Sequence, residues 1–192
     1  KATSITLTNA PAFAQHLNTI LDIEGHGEIK VDTAFGGDSF VMADVADFGL
    51  SITPHNAHVI AALGRKIVKA ANEQFPFHHP SLPEWKHYSF CFMRETLERT
   101  DGILTSRNAC VVNPGKLDRS PTGTGCSALM AVLHAKGLMQ VGDTYIGRSV
   151  IDSKFLGRIA GETTVGNHKA IIPQITGRAW ISGQSTLMLD PD

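Results

Sequence analysis

One segment of the sequence, residues 118–128, combines residue types that favour anion binding at the start of a helix. It reads Asp-Arg-Ser-Pro-Thr-Gly-Thr-Gly-Cys-Ser-Ala, and an apolar pattern with helical spacing begins directly after Gly125. Two glycines separated by one residue let the backbone turn tightly and come close to a ligand. The first amides of a helix lack intrahelical partners, and the helix dipole places about half a positive charge there. The segment therefore predicts a site for a carboxylate or a phosphate.

The same segment lacks the features of nucleotide-binding loops. No P-loop lysine follows the glycines, and the full GxGxxG pattern is absent. A glycine-rich turn capped by Ser120 or Thr122 would explain the same residues without any ligand. On local chemistry alone, both interpretations stay open.

Composition and charge narrow the class of protein. With 42% hydrophobic and 18% charged residues, the 192-residue chain is a globular domain or lobe and not a disordered tail. A net charge of -1 supplies no attraction for phosphate backbones or anionic lipid, so we expect no nucleic-acid or membrane partner. Three cysteines without a CxxC pair, and no apolar secretory signal, predict a reducing cytoplasm.

Hydrophobic periodicity predicts few helices and many strands. One helix is expected to start at Thr53-Pro54 and to run to about residue 74, and a second is expected to start at Cys126 and to stop before Gly137. Strands are predicted at 1–7, 28–35, 39–43, 87–93, 102–105, 109–112, 145–151, 155–165, 169–175 and 178–189. This order, with consecutive strands at the end, predicts an α+β fold.

Longer strings of the sequence resemble one known family. DRSPTGTGCSALMAVLHAKG (118–137) is similar to the signature of the proline racemase family, which includes hydroxyproline epimerases and trans-3-hydroxy-L-proline dehydratases. Similar stretches also occur at 31–41, 70–74, 170–183 and 187–192, so the resemblance covers nearly all of the chain. It implies the two-lobed fold shared with diaminopimelate epimerase, with a mixed sheet wrapped around a central helix in each lobe. It also implies an imino-acid substrate and no cofactor.

The resemblance further implies that residues 1–192 are the C-terminal lobe. In the family's racemases and epimerases, two cysteines face each other across the cleft between the lobes. The first lies in a Met-Cys-Gly-His-Gly-Thr motif of the N-terminal lobe, and Gly25-His26-Gly27 is the nearest string here. We therefore expect both ends of the chain to be cut, the N-terminal lobe to be absent, and residues from about 170 to 192 to return toward it. A homodimer is left open.

The second family cysteine corresponds to Thr122 in this sequence. A hydroxyl does not ionise near neutral pH, so two-base inversion at Cα becomes improbable, whereas one base still suffices for elimination. The threonine subfamily resembles the trans-3-hydroxy-L-proline dehydratases, which form Δ1-pyrroline-2-carboxylate. A proline racemase or 4-hydroxyproline epimerase, and a non-catalytic module that binds small carboxylates, are the alternatives.

The resemblance assigns roles to individual residues. Gly123, Thr124 and Gly125 are expected to offer amides to the substrate carboxylate, and Asp118 to hold the ring ammonium or only to cap the loop. Thr122 is the predicted catalytic residue, in contact with the ring and orienting the 3-hydroxyl. Val112 matches a pocket position that is aromatic in relatives, and Asp38 follows a hairpin turn and points toward the cleft or simply closes the turn.

Several other residues have structural explanations. We predict that the cysteines are core residues, that the tryptophans pack, and that the histidines lie on the surface or in loops and do not bind a metal. These residues are Cys91, Cys110, Cys126, Trp85, Trp180, His55, His58, His78, His79 and His87.

Overall fold

The computed structural model describes residues 2–190, in which the chain forms eleven strands, two α-helices and one 3₁₀-helix. The strands are β1 (Ala2–Thr8), β2 (Ala12–Ile23), β3 (Gly27–Phe35), β4 (Ser39–Asp44), β5 (Phe90–Arg94), β6 (Glu98–Thr100), β7 (Ile103–Val112), β8 (Lys116–Leu117), β9 (Thr144–Arg148), β10 (Lys154–Val165) and β11 (His168–Ala179). The helices are α1 (Ala57–Gln74) and α2 (Gly123–Ala135), and the 3₁₀-helix is Val45–Phe48. None of the helices within the described range is long and apolar enough to cross a bilayer.

The sheet closes into a barrel. Its strands follow the order β1-β11-β10-β9-β7-β5-β4-β3-β2. Strand β11, which lies between β1 and β10, also pairs with β2, the last strand of this order. In that pairing Ala170 lies opposite Phe13 and Ile171 lies opposite Ala12. Most neighbours are antiparallel, but β4 and β5 are parallel, as are β7 and β9, so the sheet is mixed.

Helix α2 lies inside the barrel, and α1 packs on the outside. The strands between them are buried on both faces, so successive side chains enter different cores. In β4, Phe40 and Met42 pack around α2, whereas Val41 and Ala43 pack on the side of α1. Every residue of α2 from 125 to 133 is buried. The prediction of an α+β lobe with a mixed sheet around a central helix is confirmed.

The predicted strand at 178–189 is wrong. Strand β11 ends at Ala179, and residues 180–190 have no regular secondary structure and are exposed. Ile181 is 85% exposed and Leu189 is 96% exposed, since no strand among the described residues pairs with this segment. Trp180 is 65% exposed, whereas Trp85 packs against the core. Residues 191 and 192 of the last family-like string lie outside the described residues.

Other boundaries differ for local reasons. Strand β2 was not predicted, because register shifts near His16 break its alternation of polar and apolar residues. Strand β7 is continuous where two strands were expected. Helix α1 begins at Ala57, since Thr53 closes a preceding turn by accepting a hydrogen bond from the Asn56 amide. The predicted glycine after α2 is confirmed: Gly137 has a φ of 72°.

Candidate active site at the start of the central helix

Helix α2 begins at Gly123, one turn ahead of the predicted start at Cys126. The glycines adopt helical angles, because the residue that breaks the chain direction is Thr122, with φ 62° and ψ 99°. The first helical hydrogen bond runs from the Cys126 amide to the Thr122 carbonyl oxygen at 2.8 Å. The side chain of Thr122, the N-cap residue, makes no capping hydrogen bond, and the amides of 123–125 lie in the first turn, where a helix offers no intrahelical acceptor.

A carboxylate organises the turn before the helix. Asp118 Oδ1 accepts a hydrogen bond from the Ser120 amide at 2.8 Å. Its Oδ2 accepts hydrogen bonds from the Ser120 hydroxyl at 2.8 Å and from the Thr122 hydroxyl at 2.9 Å. The Thr122 amide donates to Ser120 Oγ at 3.0 Å. The Thr122 hydroxyl therefore gives its one proton to Asp118 and keeps only lone pairs for another partner.

An open cleft of about 450 Å³ lies beside this turn. Among the predicted site residues, Asp118, Thr122, Gly123 and Thr124 line it. The remaining lining residues come from β1, the residue after it, β10 and the end of β11: Ile5, Leu7, Asn9, Phe155, Ile175, Gly177, Arg178 and Ala179. The cleft is thus polar at the helix start and largely apolar on the opposite wall.

Gly125 is buried below the cleft and does not line it. An added Cβ would lie 2.5 Å from the ring of Phe92 and 3.1 Å from the Thr122 methyl group. A glycine is required here by the packing of α2 against β5. Its amide still belongs to the first turn of the helix.

The structure does not bring Val112 or Asp38 to the lining of this cleft. Val112 is half-buried and lines a separate cavity of about 160 Å³ together with Gly64 and Arg65. Asp38 closes its hairpin by accepting a hydrogen bond from the Ser39 amide at 2.8 Å. The pKa of the buried Cys110 thiol is raised mainly by burial, and the charge of Asp38 makes a smaller contribution.

Asn9 is a site residue that the sequence did not reveal. Its side-chain amide donates to the Gly36 carbonyl oxygen at 2.9 Å and to the Ser127 hydroxyl at 3.1 Å. Ser127 in turn donates to the Gly123 carbonyl oxygen at 2.9 Å. This chain of hydrogen bonds joins the end of β1, the turn between β3 and β4, and the first turn of α2. An isolated asparagine after a strand gives no signal for such a contact.

The three cysteine thiols are buried, and burial makes them very weak acids. Cys91, Cys110 and Cys126 are free and buried, as predicted. Burial raises the pKa of Cys110 to about 12, against a hydrogen bond with Thr122 that lowers it. Burial also raises the pKa values of Cys91 and Cys126. These thiols stay protonated at neutral pH, so none of them is a ready base.

The histidines have the surface and loop positions that were predicted. His55, His58, His78 and His87 are exposed. His79 packs edge-on against Phe35, with ring centroids 4.6 Å apart. Within residues 2–190, no group of three or more His, Cys, Asp or Glu side chains could hold a metal ion.

This chain is similar to one protein-family model and to solved structures of two bacterial proteins. The family model described as proline racemase matches residues 1–192. The structure of a probable proline racemase from Agrobacterium radiobacter K84, with bound carbonate, has a TM-score of 0.88 and 37% identity over 98% of this chain. A hydroxyproline epimerase from Agrobacterium vitis, with bound trans-4-hydroxy-L-proline, has a TM-score of 0.86 and 38% identity over 94% of this chain. This chain spans about half of those two, 54% and 51%.

Proposed function

This chain belongs to the proline racemase family, and we propose that it is the C-terminal lobe of an enzyme that dehydrates trans-3-hydroxy-L-proline to Δ1-pyrroline-2-carboxylate. The observation that carries the proposal is the hydrogen bond from the Thr122 hydroxyl to Asp118 Oδ2 at 2.9 Å. Thr122 stands where the family's racemases and epimerases are expected to carry their second thiol. The catalytic base is assigned to the other lobe, outside this chain.

Inversion at Cα needs a proton donor on this side of the substrate. Thr122 does not ionise near neutral pH, and its proton is already donated to Asp118. Cys110 and Cys126 are 1% exposed, and neither lines the cleft. This lobe therefore offers the cleft a hydroxyl oxygen and backbone amides, which bind and orient but do not return a proton.

The stereochemistry of the substrate makes a second donor unnecessary. In trans-3-hydroxy-L-proline the 3-hydroxyl lies on the ring face opposite to the carboxylate, which is the face that carries the Cα hydrogen. One group on that face can remove the Cα proton and return it to the departing hydroxyl, which leaves as water. The electrons of the Cα–H bond form the Cα=Cβ bond as the C–O bond breaks, and the resulting enamine tautomerises to the cyclic imine.

The roles in this lobe follow from the contacts at the helix start. The amides of Gly123 and Thr124, with that of Gly125 behind them, would bind the substrate carboxylate and stabilise the charge that develops as the Cα proton leaves. Asp118 would accept a hydrogen bond from the ring ammonium while it holds the turn. Thr122 would contact the ring from the face opposite to the leaving proton, so it would not orient the 3-hydroxyl, which lies on the same face as that proton. Asp38 and Val112 do not line the cleft, so they would affect substrate binding only through the residues that do.

The names of the solved relatives favour a second candidate. One is described as a probable proline racemase and the other as a hydroxyproline epimerase. An epimerase built on this lobe would need Thr122 to pass a proton to Cα through water. A third candidate, of another class, is a non-catalytic module in which the same amides only capture small carboxylates.

A labelling experiment separates these functions. The intact protein is incubated in deuterated water with trans-3-hydroxy-L-proline, trans-4-hydroxy-L-proline and L-proline in turn. Dehydration gives an imine that o-aminobenzaldehyde traps, whereas epimerisation gives the opposite isomer with deuterium at C2. Binding without either product identifies a carboxylate-binding module. The 192-residue chain alone is expected to give no turnover, because it lacks the base.

We also propose that the protein works in a reducing compartment, the cytoplasm. Its three cysteines are all free and buried. Proteins of oxidising compartments use cysteines in disulfides that staple the fold, and this lobe has a large core without them. Fractionation of cells that express the tagged protein tests the location.

A further inference from the structure

Cys126 holds the turn that carries Thr122 from inside the barrel. The Cys126 thiol donates to the Pro121 carbonyl oxygen at 3.2 Å. The Cys126 amide donates to the Thr122 carbonyl oxygen at 2.8 Å. These two carbonyls belong to the peptide units on either side of Thr122. Cys126 therefore binds both peptide units that set the backbone angles of Thr122.

The conformation of Thr122 requires such support. A φ of 62° lies in the left-handed region, which β-branched residues rarely adopt. Strained backbone of this kind persists only where the surrounding structure holds it in place. Asp118 and Ser120 hold the turn from the cleft side, and the Cys126 thiol contacts its backbone from the core side.

The thiol itself is fixed by a buried polar network. Asn108 Nδ2 lies 4.0 Å from Cys126 Sγ and donates to Tyr145 Oη at 2.7 Å. The Ser106 hydroxyl lies 2.7 Å from both Asn108 Oδ1 and Tyr145 Oη. At Gly147, an added Cβ would lie 2.6 Å from the thiol sulfur. Polar groups buried this deeply rigidify a core when all are satisfied, so the sulfur has little freedom to leave Pro121.

The same surroundings exclude acid–base work by Cys126. The residue is 1% exposed and does not line the cleft. Burial, with a smaller contribution from Cys110, raises the pKa of its thiol, so the proton stays on sulfur at neutral pH. A protonated thiol beside a carbonyl oxygen can only donate a hydrogen bond.

We propose that Cys126 is a positioning residue: its thiol holds the Pro121 carbonyl and thereby fixes Thr122 and the amides that follow it in the geometry that binds the substrate. The structural part of this inference concerns the turn alone. Its kinetic consequence rests on the proposed function, because it assumes that trans-3-hydroxy-L-proline binds at these amides.

The structural part is tested by amide hydrogen exchange in the intact protein. Cys126→Ala removes the donor, and Cys126→Ser keeps one. Cys91→Ala is the matched control, since Cys91 is also fully buried but packs in the cluster on the side of α1. The amides of Ser120 and Thr122 report on the turn, and that of Ile67 in α1 reports on global opening.

Loss of one neutral hydrogen bond should raise exchange at Ser120 and Thr122 by about three- to tenfold relative to Ile67 in Cys126→Ala. Exchange rates in Cys126→Ser should stay close to those of the wild type. Cys91→Ala should change the exchange rates of all three amides by the same factor. If Cys126→Ala does not fold, Cys126→Val removes the donor at a similar volume. Equal acceleration at the turn and at Ile67 in the donor-less variant would overturn the inference.

The kinetic part uses the intact protein. Cys126→Ala should raise KM for trans-3-hydroxy-L-proline by about three- to tenfold, with Cys126→Ser restoring it and Cys91→Ala leaving it unchanged. Absence of dehydration in the wild type would defeat the proposed function but not the structural part, which the exchange experiment decides. Loosened exchange with an unchanged KM would overturn the kinetic part.

Discussion

The hydroxyl of Thr122 donates a hydrogen bond to the carboxylate of Asp118 across 2.9 Å, at the turn from which the central helix starts. Ser120 donates to the same carboxylate oxygen at 2.8 Å, so the contact that shapes the turn also consumes the only proton of Thr122. The same hydrogen bond therefore fixes the shape of the turn and removes Thr122 as a proton donor to the cleft. A change at either residue should alter both.

Replacing Thr122 by cysteine in the intact protein should introduce some inversion at Cα. A thiol with an ordinary pKa of ~8.5 supplies the acid and base that a hydroxyl lacks on this face. The measurement is the appearance of the C2-deuterated opposite isomer of the imino acid in deuterated water. Thr122→Ser, which keeps the hydroxyl, should show none. If the cysteine variant also gives no inversion, the one-base argument is wrong.

Asp118→Asn should weaken substrate binding more than it weakens the fold. The variant retains an acceptor for the turn but loses the charge that would pair with the ring ammonium, and charge-assisted hydrogen bonds contribute about 1.5–3 kcal/mol. We expect KM to rise about tenfold or more, and the free energy of unfolding in urea to fall by about 1 kcal/mol. Asp101→Asn, in an exposed turn, should change neither. An unchanged KM with a lower stability would mean that Asp118 only caps the turn.

Gly36→Ala should destabilise the lobe, because the turn between β3 and β4 lies directly on α2. An added Cβ at Gly36 would overlap the Thr124 carbonyl oxygen and the Ala128 amide nitrogen, both of which are backbone atoms that cannot rotate away. Overpacking of this kind costs about 1–3 kcal/mol. Urea unfolding measures the loss. Gly161→Ala is the control, since its Cβ would meet only Ile172 Cδ1 at 3.7 Å. Equal stability of the two variants would contradict the close packing.

The sequence predicts the helix and the turn at the site because both follow local rules. Helical spacing after Gly125, the glycine pair and the position of Thr122 all lie within one segment, and the structure places Thr122 and Gly123 at one cleft, with Gly125 buried below it. The other wall of the cleft was not predicted. It is built by β1, β10 and β11, and their approach depends on barrel closure between residues 12–13 and 170–171, which are far apart in the sequence. Long-range pairing leaves no local signal, so Asn9 and Phe155 were missed.

The predicted strand boundaries were wrong where tertiary contacts, and not the local sequence pattern, decide whether a segment is a strand. The segment after Ala179 has two short apolar runs, at 180–181 and 187–189, yet no neighbouring strand among the described residues pairs with it. In β2, the residue Asn18 has a φ of 53°, and its amide donates to the buried Asp32 carboxylate at 3.0 Å. That contact makes an irregular polar stretch into a strand. Propensity alone cannot show it.

The stability of the lobe should fall as the pH drops below about 6.5, because of histidines near Phe13. Burial lowers the pKa values of His16 and His79, and the charge of His168 lowers both further. Glu84 partly opposes this at His79. His168 stacks on Phe13 with ring centroids 4.7 Å apart, and His79 lies edge-on at 5.6 Å.

The sign of the effect follows from these lowered values. In the unfolded chain His16 and His79 titrate near 6.5, above their folded values, so the unfolded state binds more protons as the pH falls. Their contribution to stability is complete above pH 6.5 and is lost as the pH falls through the folded pKa values. Urea midpoints measured between pH 7.5 and about pH 5, above the range in which carboxylates titrate, should therefore decrease toward the acid side. His168→Gln should flatten this decrease, and His55→Gln, at an exposed position, should not. A midpoint that stays level over this range in the wild type would show that the titration of His16 and His79 is not coupled to folding.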